Sequence, residues 1–503
     1  MVTSSARVTG SGLSRRPRSG CRVGPYLLTA AGLSACTVGP NFKHPDTPAP
    51  VAYLAPEEST GTRSEAAASE STADAYQQQL MLGTNPVPDW WTIFGSSELD
   101  ALVGAAVARN QTLAAAQGRV AEARELVKAQ AGSLYPQVSL AAGAGRQKYG
   151  TEFFGSLFTL PAFSYFGAGA TVQYQPDYIG GIARSVEQRE ALAQYQQSQA
   201  DATYLSLTGS VVTEAIQVAA ALGEIRAISE ILAEDQKNLE LVRTAFTNGS
   251  VSRVDVLTAE SQLAADEALL PPLRQQLDVA RHALSVLSGH APGEWLPPEF
   301  SLGELKIPRQ LPLSLPSELA HRRPDILAAE AQLHAATAAV GIATANLYPQ
   351  ITLTATGGWQ SVPGRALFAR SNAAWSLISG LTAPVFNGGT LRAERRATVD
   401  ELGASAARYQ QVVLESFGQV ADVLDALTHD AQLIAAQSNA LATATNNVEL
   451  ARESYSAGNI DVLQVIEAQR RRLDAQVGFL RAEAQEYADN VQLFLALGGS
   501  RDL

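Results

Sequence analysis

Few side chains in this chain of 503 residues are placed to do covalent chemistry. Cys36 is the exception. It closes the tetrapeptide Leu33-Ser34-Ala35-Cys36 behind the apolar run Val23–Ala35, and behind a region holding Arg7, Arg15, Arg16, Arg18 and Arg22 but no acid. A basic region, a short apolar region and small residues before a cysteine describe a secretory signal of lipoprotein type. Its cysteine is acylated and becomes the mature N-terminus, and several acyl chains hold it stably in lipid, at about 0.8 kcal/mol per buried methylene. Cys21 leaves with residues 1–35, so the mature chain has no cysteine left for a disulfide. The histidines His44, His282, His290, His321, His334 and His429 are scattered, with no i, i+4 pair. No Ser/His/Asp grouping, nucleotide loop or metal-ligand cluster sits at a workable spacing, so the expectation is a non-enzyme without metal or cofactor. The stretch Arg322-Arg323-Pro324-Asp325 reads as a helix entry, with Asp325 near the positive end of the helix dipole.

The charge balance excludes another class. Lys and Arg number 37 against 49 Asp and Glu, a net charge of −12. Loss of five arginines with the signal takes it to −17. Phosphate binding needs a clustered basic surface, so nucleic acid is not an expected partner. Charged residues make up only 17% and aromatics 7%, and with abundant alanine and glutamine this favours long helices packed through small side chains. No run of eighteen apolar residues is present, so no transmembrane helix is expected.

The elements repeat. SLYPQVSLAAGAG (133–145) returns as NLYPQITLTATGG (346–358), PDYIGGIAR (176–184) as PVFNGGTLR (384–392), and FTNGSVSRVDVLTAE (246–260) as YSAGNIDVLQVIEAQ (455–469). Three landmarks in one order at offsets of 213, 208 and 209 residues indicate duplication. In each half a helix stops at Pro136 or Pro349, which lacks a backbone donor and fixes φ. The first of these helices is expected from Ser97, as its cap, to Gly132. Two strands follow, expected at 137–145 and 165–175, then at 350–359 and 375–383. Ile351, Leu353 and Ala355 alternate with Thr352, Thr354 and Thr356, the period of a strand with two different faces. The lengths match tilted strands crossing a bilayer, and the loops 147–164 and 360–373 would face outward. The Gly180-Gly181 and Gly388-Gly389 pairs turn strand back to helix. Long helices are expected at 182–248 and 390–457, each on the order of 100 Å at 1.5 Å per residue. In the second, Val399, Leu402, Ala406, Tyr409, Val413, Phe417, Val420, Leu424 and Leu427 step by threes and fours, as in a coiled coil. The helices end at Gly249 and Gly458, which can take the left-handed conformation, and helices return at 254–287 and 462–497.

The resulting division is a signal at 1–35, a lipidated tether with little fixed structure at 36–88, a first repeat at 89–290, a Pro-rich segment at 291–316, a second repeat at 317–499 and a short tail at 500–503. Four bilayer-length strands cannot stand alone in lipid, because an open sheet leaves edge groups unpaired at several kcal/mol each. Three copies give twelve strands and room for a lumen, which the small, polar inward residues favour over eight.

At these residues the chain resembles the outer-membrane efflux channels of TolC/OprM type, the outer-membrane factors of RND-type systems, and within them the lipoprotein branch often labelled NodT. Its motifs are TVGPNFKHP after Cys36, DWWTIFGSSELDALV (89–103), LAHRRPDILAAEAQL (319–333), the two LYPQ motifs and ALGG (496–499). The resemblance implies an α+β membrane protein: a homotrimer whose twelve-stranded β-barrel in the outer membrane continues as a long α-helical coiled-coil tunnel in the periplasm, with an equatorial belt from the inter-repeat segment. Inner-membrane lipoproteins usually carry Asp after the cysteine, so Thr37 implies the outer membrane. The implied partners are a periplasmic membrane-fusion adaptor, an inner-membrane RND-type pump and outer-membrane lipid. By motif position Asp255 corresponds to an acidic residue lining the periplasmic gate, Leu463 to an apolar constriction, Glu467 to an acidic ring and Gln464 to a position that is Asp in some members. Rings of three like charges in a narrow mouth attract cations. The implied function is passive conduction of small molecules. A duct for type I protein secretion and a non-conducting structural lipoprotein are the other readings, and short extracellular loops with the lipoprotein signal ending at Cys36 favour small-molecule efflux.

Overall fold

The computed structural model describes residues 37–45, 53, 78–150 and 161–499. The signal at 1–35, Cys36, part of the tether, the loop stretch 151–160 and the tail 500–503 lie outside the described residues. Strand β1, Gln79–Leu82, comes first. A 3₁₀ turn at Trp90–Phe94 leads to helix α1, Ser97–Arg109, whose cap is Ser96 rather than Ser97: its hydroxyl accepts from the amide of Leu99. The helix expected to run through to Gly132 breaks at Asn110. That residue ends α1 and caps α2, Gln111–Gly132, accepting from the amide of Leu113 at 3.0 Å and donating to the Leu287 carbonyl at 3.0 Å. A short polar side chain that satisfies backbone groups competes with helix continuation there.

Strands β2, Gln137–Gln147, and β3, Phe163–Tyr174, follow Pro136. Helix α3 spans Gly181–Thr247, and the expected single returning helix is two, α4 at Arg253–Glu267 and α5 at Leu270–Leu287. Pro271 and Pro272 account for the break. A proline is tolerated only in the first turn, where its missing N–H costs nothing, so α5 must begin just before them. Strand β4, Gln310–Leu313, lies in the Pro-rich segment, and helix α6 is Pro324–Ala345. Strands β5, Gln350–Ser361, and β6, Ala373–Thr382, precede α7, Thr390–Ser456, and an unbroken α8, Val462–Ala496. Thus α2 and α6 are each 22 residues, and α3 and α7 each 67. β2 and β5 run two residues past their expected ends, while β3 and β6 begin two residues early and stop one residue short.

Each repeat uses the same punctuation. Gly249 (φ 74°) and Gly458 (φ 76°) end the long helices. Around each, the amides of the glycine and its successor donate back to the final turn, as in Gly249 N to Phe246 O and Ser250 N to Ala245 O. Gly458 and Asn459 repeat that pairing onto Tyr455 and Ser454. Both pairs are Schellman motifs, which need a residue at positive φ.

The membrane sheet has the order β2-β3-β5-β6, all antiparallel. The β3–β5 seam joins the two repeats and pairs Gly169 with Gly358. A Cβ at Gly358 would stand 2.4 Å from the Ala168 carbonyl oxygen, so only glycine fits that approach. β2 and β6 are the free edges of the protomer's sheet. β1 pairs in parallel with β4, from Gln79–Gln310 to Leu82–Leu313. The tether is therefore structured where it is described, and the inter-repeat segment is not wholly irregular. Gln78 extends that join, donating to Pro308 O and Asn490 Oδ1.

The main core lies at this waist. Trp90, Phe94, Leu311, Leu319, Tyr487, Val491 and Phe494 are buried there, with Trp90 stacked on Phe494 at 5.2 Å. Along the α7 seam Tyr409, Val413, Phe417, Val420 and Leu424 are buried, Leu402, Ala406 and Leu427 partly so, and Val399 is exposed. Contrary to the hydropathy expectation, α3 and α6 each hold a window long and apolar enough to cross a membrane, with hydropathy of 1.4 and 1.3. More than half of each window is buried against the rest of the chain, as in core helices.

Candidate functional site

Three regions carry the candidate function. The first is the pair of hairpin tips. Ser252, the N-cap of α4, and Asp461, the N-cap of α8, are equivalent positions in the two repeats, and Asp255 and Gln464 are the third residues of those helices. Asp255 completes a capping box: its Oδ2 accepts from the Ser252 amide at 2.7 Å and the Ser252 hydroxyl at 2.8 Å. The backbone bond, then the side-chain bond, holds this carboxyl below its ordinary range. Bonds to the ionised form are what lower it. Gln464 is exposed, and its amide donates to Asp461 Oδ1 at 3.1 Å. Glu467 is exposed and pairs with Arg471 at 3.1 Å, one turn along the helix. Leu463 leans on a small apolar cluster of Leu239, Val242, Val256, Ala259, Val462 and Ile466. That cluster takes residues from α3, α4 and α8, so it brings the two hairpin tips to one end of the molecule.

Behind the tips, Glu234 of α3 ties the two hairpins together. Its carboxylate takes Arg452 of α7 at 2.9 Å and Arg472 of α8 at 3.4 Å, and accepts from Gln469 at 3.0 Å. Gln469 also accepts from the buried Asn238 at 2.5 Å. Sequence spacing alone could not find this junction, because its members are more than two hundred residues apart in the chain.

The second region is the sheet. β2 and β6 expose nearly every residue on both faces, including Val138, Leu140, Trp375, Leu377, Ile378 and Leu381. Aromatic residues sit at both ends. Tyr165, Trp359, Trp375 and Phe368 lie toward the 362–372 loop, while Tyr135, Tyr174, Tyr178 and Tyr348 lie by the helices. Two aromatic girdles about a strand's length apart mark the two bilayer interfaces of a membrane barrel. That signal was available in the sequence but is diluted by low aromatic content. Pro136 and Pro349 sit at the helix-side girdle, where the Tyr178 hydroxyl donates to the Pro349 carbonyl. Gly180 (φ 83°), Gly388 (φ 62°) and Gly389 (φ 88°) take the conformation that turns strand into helix. A Cβ on Gly181 would stand 2.9 Å from that of Ala345.

The third region is the segment after Cys36. Thr37 lies against Gly180, so closely that a Cβ on that glycine would stand 2.7 Å from its methyl. The Val38 amide donates to the Ile179 carbonyl at 3.1 Å. Arg184, buried at the head of α3, donates to the Val38 carbonyl and Asn41 Oδ1 and pairs with Glu187 at 2.6 Å. Phe42 stacks on His334 at 4.3 Å, and His44 pairs with Glu330. The TVGPNFKHP motif is thus a strap bound at the junction of sheet and helices, its first described residue beside the helix-side girdle. Arg323 likewise has a structural part. It grips Asp325 through Nε and Nη2, one edge of its guanidinium, and donates to Ala496 O at 2.8 Å and Gln419 Oε1 at 2.7 Å.

With this geometry in hand, comparisons with known proteins agree closely. A model of the family described as outer membrane efflux protein matches residues 102–290 and 315–499, one match for each repeat. The chain is 32% identical over 420 residues to the pyoverdine export outer membrane protein OpmQ of Pseudomonas aeruginosa, covering 82% of this chain and 87% of that one. It is 25% identical to the cation efflux system protein CusC of Escherichia coli K12, covering 96% and 100%. The solved outer-membrane channel OprN superposes with a TM-score of 0.82 at 26% identity, over 92% of this chain and 99% of that one.

Proposed function

Because the chain belongs to the outer membrane efflux protein family, an outer-membrane channel of an efflux system, we propose that it is the passive exit duct of a tripartite assembly, fed by an inner-membrane RND-type pump through a periplasmic adaptor. The observation that carries this reading is the four-stranded antiparallel sheet with two free edges, set on helices on the order of 100 Å long. Threefold closure turns the sheet into a twelve-stranded barrel without an edge, and the same operation gathers the helices into a tunnel. The strap fits attachment at Cys36. Thr37 is held at the girdle, so acyl chains on the preceding residue would enter the adjacent leaflet.

Relatives named for pyoverdine and for cations share this architecture with the chain. Such breadth supports a duct that leaves most of the choice of cargo to its pump, and small molecules are the cargo proposed here. At the tips, Asp255, Leu463, Gln464 and Glu467 are proposed to line the periplasmic entrance, with Gly249 and Gly458 as the turns an adaptor meets. The test is conductance of the reconstituted protein in planar bilayers. Discrete cation-favouring channels support the reading, and an absence of conductance in a correctly assembled trimer overturns it in favour of a structural lipoprotein.

A further inference from the structure

Two pairs of carboxyl groups inside the helical part have no role in the duct as described. In the lower pair, Asp235 of α3 meets Asp266 of α4, both buried. Asp266 accepts from Gln262 at 2.7 Å, while Asp235 Oδ2 is buried and no N–H or hydroxyl donor reaches it. In the upper pair, near the waist, Asp430 of α7 meets Asp489 of α8, with Glu486 one turn away. Asp430 and Glu486 are buried, and no N–H or hydroxyl donor reaches Asp430 Oδ2 or Glu486 Oε2. Asp489 accepts from Gln485 at 2.8 Å.

The charges facing these groups do not relieve them. Beside the lower pair, Glu234 adds a like charge, and the cations it draws in, Arg452 of α7 and Arg472 of α8, are spent on Glu234 itself. Beside the upper pair, Glu483 adds a like charge to Glu486, and Arg481 of α8 is held by Glu224 of α3. The Tyr487 hydroxyl is turned to the Leu302 and Leu305 carbonyls. Within the protomer, among the described residues, neither pair has an ion-pair partner. Nor do three ligating side chains converge well enough to hold a metal ion.

Two ionised carboxylates have only acceptors, so a carboxyl–carboxyl hydrogen bond requires one proton between them. Buried carboxylates in contact cannot both ionise without strong repulsion. We propose that the two pairs are proton-held clasps, each binding one proton between a long helix and its returning helix, so that losing the proton loosens that helix pair. Burial first, then the carboxyl contact and the neighbouring acids, hold Asp235 and Asp430 well above the usual carboxylate range, in keeping with a proton retained in the closed form. The clasps tie α3 to α4 and α7 to α8 at two heights, so both hairpins would tighten in acid and slacken in alkali.

Local opening exposes the carboxyls to water and releases the proton. While the closed pair holds its proton and the open pair does not, the opening constant therefore rises about tenfold per pH unit. Hydrogen exchange of the full-length trimer in detergent, corrected for intrinsic rates, should show this slope between pH 4.5 and 6.5 in segments 228–240, 260–268, 425–435 and 482–492. It should level off above neutral pH and be absent from the waist segment 99–106. Asp266→Asn, which keeps a hydrogen bond but needs no shared proton, should remove the slope at the lower clasp only. Asp489→Asn should do the same at the upper clasp. A flat wild-type profile, or a slope that survives both Asp266→Asn and Asp235→Asn, overturns the proposal.

Discussion

Arg323 shows how one side chain can hold distant segments together. It takes up a carbonyl at the C-terminal end of α8, where a cation is favoured, and bridges Asp325 and Gln419. Arg323→Met should cost about 1–3 kcal/mol, since the freed Ala496 carbonyl stays buried, read as a lower thermal midpoint with assembly intact. Asp255 poses a different test. Its carboxyl is held below the usual range by Ser252, so it stays ionised as pH falls to the ordinary carboxylate pKa, and its capping contribution is lost only below that. Asp255→Ala should therefore weaken cation selectivity equally at pH 5 and pH 7. A selectivity lost only at the higher pH would place the filter elsewhere. The residues legible in the sequence were those with local reasons: the glycines at chain reversals, the prolines at helix ends and the acid at the start of a helix. Arg323's partners and the carboxyl pairs were not legible, because their geometry is made by contacts between separate segments.

Among the elements, the long helices, their glycine ends and the four membrane strands follow from periodicity and from local rules about φ. The breaks at Asn110 and before Pro271 depend on competition between a continued helix and a local alternative, which periodicity does not weigh. β1 was missed because QLML has no strand signature of its own, and its pairing is supplied by a distant segment. Gly458→Ala should cost roughly 1 kcal/mol, because φ of 76° is unfavourable for a residue with a Cβ. Faster hydrogen exchange confined to the second tip would report it. Gly358→Val is predicted to be harsher, since its Cβ would meet the β3 backbone and part the seam between the repeats. The measurement is heat-modifiable trimer on a denaturing gel, and unchanged trimer yield would refute that account of the seam.

At the scale of the whole molecule, acidity and length have distinct consequences. Asp235, Asp430 and Glu486 are raised to about 7 from ordinary values near 4. The folded form therefore binds extra protons between those limits, and stability falls as pH rises through that window, then levels off. Trimer melting temperatures should decline from about pH 4.5 to 7, and a flat or rising profile would refute this. Closure of the sheet by copies of the chain was legible as a necessity, because four strands cannot satisfy their own edges in lipid. The tether's course down to the waist was not, because it depends on contacts with segments far along the chain. The seam between β3 and β5 also imposes a timetable. A chain emerging from its N-terminus completes β2 and β3 long before β5 exists, and β1 waits for residues 310–313. For that interval β3 must travel through water with the edge meant for β5 unpaired. The early strands' sparing use of large apolar side chains, which hid them from any hydropathy window, is then what lets them survive the wait without aggregating.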